Sequence, residues 1–268
     1  MNLKDILVHI DNRPTNSTRL DVAMRIAKRH KAKLTGIYVI PSHRLVAKDK
    51  MSKRADAAIQ DFKERTEGAD VSSKVISVDC NTTGLDIPQA INIYAHYHDL
   101  LILSQTDYAN PDHDIPNNLP ELAILGSGRP VLLVPYAGTF DQPFERILFA
   151  WRGGPESTRA LHDAMPILRK GSEIKVITIC GREGDEDYLS HEANICDHMV
   201  SYDLNLSCET QLVEDLSVGD LLLNRCAEFS ADLLIMGATS QSRRGHQTLG
   251  PTGRHLLKLM TLPVLMSH

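Results

Sequence analysis

The sequence predicts an α/β protein of two tandem Rossmann-like or flavodoxin-like domains, each a five-stranded parallel sheet with helices on both faces. Three observations predict it. Short apolar runs alternate with amphipathic helical stretches, the pattern of strands buried on both faces by crossover helices. A strand–turn–helix word at the start of the chain returns near its middle. The two halves also end on matching strands.

The first word opens with KDILVHI (Lys4 to Ile10), an apolar run suited to a buried parallel strand. The turn Asp11-Asn12-Arg13-Pro14 follows, then a helix with Asn16 or Ser17 expected as N-cap. Leu20, Ala23, Met24 and Ala27 recur at helical spacing and form its inward face. Further strands are expected near Leu34, Lys74, Leu100 and Val131. Ile87, Ala90, Ile91 and Tyr94 mark a helix over Asp86 to Ala95. Gly126-Ser127-Gly128 reads as the C-terminal turn of the last helix of this half.

In the second half, ERILFAW (Glu145 to Trp151) repeats KDILVHI, and Arg152-Gly153-Gly154-Pro155 repeats the turn. Ser157-Thr158 stands for Asn16-Ser17, and Leu161, Ala164, Met165 and Leu168 for the helix face. HDLLILSQT (His98 to Thr106) aligns with ADLLIMGAT (Ala231 to Thr239), and Pro130-Val131-Leu132 with Pro263-Val264-Leu265. Strands are expected near Ile147, Ile174, Glu209, Leu233 and Val264, with a helix over Ser217 to Phe229. So long a period marks duplicated domains, 1–137 and 144–268, joined by the turn-rich Ala137 to Pro143.

Composition narrows the function. With a net charge of -5 and interleaved signs, no basic stripe points to nucleic acid. No run approaches the ~18 apolar residues of a membrane span, and the N-terminus lacks the layout of a signal peptide. These features point to the cytoplasm. Cys80, Cys180, Cys196, Cys208 and Cys226 include no CxxC, and reduced, buried thiols are expected. His191, Cys196 and His198 match no usual zinc spacing, so no metal site is expected. No nucleophile–base–acid set, P-loop lysine or H-E-x-x-H is present, which argues against an enzyme.

ILVHID ending at Asp11, GRPVLLVPY (Gly128 to Tyr136) and LPVLMSH (Leu262 to His268), set in this duplicated frame, resemble the universal stress protein family over essentially the whole chain, twice. The resemblance implies an ATP or ADP site built from an Asp after the first strand and a loop G-x-x-G, nine residues, G-S/T after the fourth. In the second half Gly237 opens that loop, Ser240 stands at its second glycine and Gly250 at its third, followed by Pro251-Thr252. Arg243 and Arg244 lie within it as phosphate partners or solvated charges. Arg152 occupies the Asp position, with Gly153 beside it leaving backbone carbonyls accessible. Gly237 and Gly250 also have a structural reading, as glycines of a tight strand-to-helix turn. The first half keeps Asp11, a nucleotide contact or a plain turn residue, but replaces the glycines by Ser104, Asp107 and Asn117, with Asp112 and Asp114 nearby.

The expected function is a stress-response binding or signalling module that takes an adenine nucleotide or another phosphate ligand in the second domain. No metal is expected beyond nucleotide-bound Mg. An interaction scaffold without nucleotide, or a weak ATPase, are the alternatives. Expected partners are a protein of unknown identity, but no nucleic acid and no membrane. The resemblance also implies an intramolecular pseudo-dimer, with the strands near Val131 and Val264 edge to edge, and is compatible with a homodimer of chains.

Overall fold

The computed structural model describes residues 2–42, 48–111, 114–169, 171–180, 195–202, 204–213, 216–243 and 246–268. The chain divides into two compact units, Met1–Asp141 and Gln142–His268.

Unit 1 runs β1 (Asp5–His9), α1 (Thr15–His30), β2 (Lys33–Ile40), α2 (Lys48–Gly68), β3 (Ser73–Asp79), α3 (Cys80–Thr83), α4 (Ile87–Ala95), β4 (Leu100–Ser104), α5 (Leu119–Gly126) and β5 (Val131–Val134). Its strands lie in the order β3-β2-β1-β4-β5, and every pair is parallel. Unit 2 runs β6 (Arg146–Trp151), α6 (Pro155–Ala164), β7 (Glu173–Cys180), a helical stretch over 195–200, β8 (Asn205–Leu212), α7 (Val218–Phe229), β9 (Leu233–Gly237), β10 (Ser240–Arg243), β11 (His246–Leu249), α8 (Pro251–Leu259) and β12 (Val264–Ser267). Its parallel strands lie in the equivalent order β8-β7-β6-β9-β12. The α/β class and the parallel sheet are as the apolar strand runs predict.

The core sits on the central strands. β4 and β5 are buried throughout, as are Ile147, Leu148 and Phe149 of β6. Local signals set several helices. Asp86 and Gln89 form a reciprocal capping box at the start of α4, Asp86 Oδ1 accepting from the Gln89 N–H at 2.8 Å. Ser217 caps α7, its Oγ accepting from the Asp220 N–H at 3.1 Å.

The two units repeat a clamp at the start of their first strands. Asp99 Oδ2 accepts from the backbone N–H groups of Lys4 and Asp5, at 2.6 and 3.0 Å. Asp232 Oδ2 accepts from those of Glu145 and Arg146, at 2.8 and 3.0 Å. Each Asp immediately precedes its unit's fourth strand and ties it to the first.

Four expectations need correction. Helix α1 begins one residue before the expected caps: Pro14 is its N-cap and no side chain caps it, because Asn16 turns inward to the site described below. The reduced-thiol reading fails for one pair. Cys196 and Cys208 form a disulfide between the helical stretch 195–200 and β8, with Cα atoms 6.6 Å apart. Cys80 and Cys226 are free and buried, and burial pushes the Cys226 thiol up to about 12. The short helix α3 lies between β3 and α4, where the sequence pattern gives no helix. The stretch read as an open phosphate loop after β9 instead folds back as the antiparallel hairpin β10–β11. His191, Asp112 and Arg244 lie outside the described residues. Among the described residues, no helix is long and apolar enough to cross a membrane, and no cluster of three or more His, Cys, Asp or Glu side chains could hold a metal.

Candidate functional site

In each unit the chain winds from the first strand to one side and then crosses to the fourth strand on the other. The crevice outside the carboxyl ends of those two strands is where open α/β sheets hold ligands. The two units treat this crevice in opposite ways.

In unit 2 it is hollow. A cavity of about 350 Å³ lies between the ends of β6, β7 and β9. Ile177, Ile179, Leu222 and Met236 supply apolar wall; Ser157, Thr239 and Thr252 supply hydroxyls. Arg152, largely exposed, is the one ionisable residue among the described residues that line it. Ser157, Val218 and Thr252 belong to the first turns of α6, α7 and α8. Three helix N-termini thus border one space, each with partial positive charge, while Ser217 already takes one N–H of α7 and Pro155 and Pro251 bring none to α6 and α8.

Gly237 and Thr252, two of the residues singled out from sequence, line this cavity together with Arg152. Gly153 lies in the turn just after β6, with φ 75°, in the left-handed region that favours glycine. Gly250 is the N-cap of α8 and donates its N–H to the Thr239 carbonyl at 2.8 Å. Ser240 and Arg243 are the terminal residues of β10, paired in register with Leu249 and His246. Asp11 belongs to unit 1 and is not part of this group.

Gly237 has a packing reason of its own. A Cβ there would stand 2.5 Å from the Glu156 carbonyl carbon and the Ser157 nitrogen. Only glycine lets β9 end this close to the first turn of α6. A Cβ on Gly250 would meet Thr239 Oγ1 at 2.6 Å.

In unit 1 the crevice is filled. Arg19 of α1, fully buried, reaches across it. Its Nη1 donates to Ser104 Oγ at 2.7 Å and its Nη2 to Asn16 Oδ1 at 2.7 Å, and Nη2 lies 3.2 Å from Asp11 Oδ2. Arg13 also binds the Asp11 carboxylate, at 2.8 and 3.0 Å. Burial pushes the Asp11 carboxyl up, but Arg19, His9 and Arg13 outweigh it and hold it well below the usual carboxylate range. Burial lowers His9 to about 3, so it is neutral beside the pair. Arg54 and Asp114 close the outer rim with an ion pair at 2.8 Å. About 20 Å³ is left beside Asp11, room for roughly one water.

Carrying the sequence repeat onto the structure explains the difference residue by residue. Arg19 stands at the position of Ala160, Ser104 at that of Gly237, His9 at that of Ala150 and Asn16 at that of Ser157. Each residue of unit 1 is the larger. Sequence reading missed Arg19. The available signal was its place beside Leu20 on the inward helix face, opposite an alanine in the repeat.

Comparison with solved structures places the fold. A universal stress protein from Archaeoglobus fulgidus DSM 4304 superposes on 98% of this chain and 95% of its own, with TM-score 0.77 and 15% identity. A protein of Pseudomonas aeruginosa UCBPP-PA14 named for the same family covers 99% of this chain and 93% of its own, with TM-score 0.66 and 16% identity. At half length, a universal stress protein from Archaeoglobus fulgidus solved in complex with dAMP covers 50% of this chain and 98% of its own, with TM-score 0.40 and 14% identity. No protein-family model and no curated protein sequence matches the chain. The chain therefore carries the fold of the universal stress proteins across nearly its whole length, as two successive α/β units of one topology.

Proposed function

We propose that the chain is a cytoplasmic stress-response binding module whose unit 2 takes an adenine nucleotide or a related phosphate-bearing small molecule, with no turnover of its own. The observation that carries this reading is the unit 2 cavity. It joins an apolar wall, suited to a flat base, to three helix N-termini, suited to an anion. No carboxylate is among its described lining residues, and Arg152 adds a cation at its edge. Gly237, Gly153, Gly250, Thr252, Ser240 and Arg243 are the unit 2 residues assigned to the ligand. Asp11 is left out of that set because Arg13 and Arg19 already hold it.

The test is mass spectrometry of the small molecules released when protein purified at low salt is denatured, followed by calorimetry with ATP and AMP. Nucleotide at near one per chain is expected. Arg152→Glu is expected to weaken binding roughly tenfold or more while leaving the fold unchanged, since Arg152 is exposed. It is a cleaner probe than a bulky residue at Gly250, which would press on Thr239 whether or not a ligand binds. No released nucleotide and no heat at millimolar ATP would sink the reading. That outcome would favour a scaffold without nucleotide, a second reading supported by the packing reason for Gly237 and by the filled unit 1 crevice.

A further inference from the structure

We infer that the crevice of unit 1 is a guanidinium-binding site whose resident ligand is the chain's own Arg19. This goes beyond the ligand reading of unit 2 and stands without it. Three elements each supply one acceptor to the same planar group: Asp11 just past β1, Asn16 in the first turn of α1, and Ser104 at the end of β4. The side chain is fully buried, and the space left beside Asp11 holds about one water. An ammonium has no fork to span three separated acceptors, whereas a guanidinium has five donors in a fixed plane. All three acceptors engage the two terminal nitrogens, and the buried Arg19 Nε has no hydrogen-bond partner.

The chemistry of the site sets what it accepts once emptied. Asp11 keeps a carboxylate at its centre, so the vacated space takes a small planar cation and refuses phosphate. Unit 2 carries Ala160 and Gly237 at the positions of Arg19 and Ser104, and Arg152 at that of Asp11. It therefore lacks the internal ligand and two of its three acceptors, with only the Ser157 hydroxyl left at the position of Asn16. The same crevice is thus occupied from within in one copy and hollow in the other.

The experiment uses the full chain with Arg19→Ala and follows amide hydrogen exchange of β1 and β4. Exchange of the β4 amides is expected to speed up roughly tenfold or more, because Ser104 and Asn16 lose their donor and the buried carboxylate loses one of its two guanidinium partners, Arg13 remaining bound to it. Ethylguanidinium, which restores the deleted atoms, is expected to slow exchange back toward the parent value in a saturable way. Ethylammonium and inorganic phosphate are expected to do nothing. The rescue is expected to vanish in the Arg19→Ala, Asp11→Asn double variant. Equal protection by ethylammonium, or none by ethylguanidinium, would overturn the inference. If Arg19→Ala does not fold, Arg19→Lys keeps the charge and loses the fork. It is expected to fold with β4 exchange faster than the parent, and exchange identical to the parent would equally overturn the inference.

Discussion

His9 shows how a neutral side chain can carry a pH dependence. It is packed beside the Asp11–Arg19 pair with 2% of its surface exposed, and burial holds its pKa near 3 against an ordinary 6.5. The unfolded chain therefore binds a proton at this residue between about pH 6.5 and 3 that the folded chain does not, and stability falls as pH falls through that window. The slope attributable to His9 is up to about 1.4 kcal/mol per pH unit. Hydrogen exchange of β1 between pH 7 and pH 4.5 should show protection falling in the parent and a shallower fall in His9→Gln. Equal slopes in the two proteins would remove His9 as the cause. Asp11, held low by its arginines, loses its own contribution only below the ordinary carboxylate range, so the two effects separate along the pH axis.

At the scale of elements, the clamps of Asp99 and Asp232 allow a paired prediction. Each carboxylate satisfies two successive strand N–H groups. Replacing either with alanine leaves those groups to solvent and costs about 1–3 kcal/mol. Denaturant unfolding read by peptide-resolved exchange should place the loss of Asp99→Ala in unit 1 and that of Asp232→Ala in unit 2. A loss shared by both units in either variant would contradict the clamp as a local device. Elements also show what was legible from sequence. The helices α4 and α7 could be placed because Asp86 and Ser217 bond within one turn of themselves. The strands could be placed because burial on both faces demands continuous apolar runs. The start of α1 could not, because Asn16 bonds to Arg19 and to the Asp11 N–H instead of capping its own helix. The β10–β11 hairpin was hidden by polar residues that carry no strand alternation. Arg19 itself reads as a surface charge, since its acceptor on β4 is 85 residues away along the chain.

At the scale of the whole molecule, duplication has produced two frames of one topology with unequal interiors. The strand orders match and the clamps match, while one crevice is hollow and the other filled. A calorimetric titration with the nucleotide that unit 2 accepts should therefore saturate at one ligand per chain, and a fitted stoichiometry of two would mean that the Arg19 cluster opens. The repeat itself was legible from sequence, because strand, turn and helix face recur in one register. The inequality was only partly so. The exchange of Asp11 for Arg152 is visible in the repeat, but its result depends on where Arg19 reaches in three dimensions.

The chain has a single tryptophan, Trp151, and it lines the unit 2 cavity while unit 1 has none. Its near-ultraviolet emission is therefore a built-in optical gauge of one crevice and is blind to the other. A shift in that emission on adding a compound reports the hollow unit without any label. A compound that engages only the filled unit leaves the signal still.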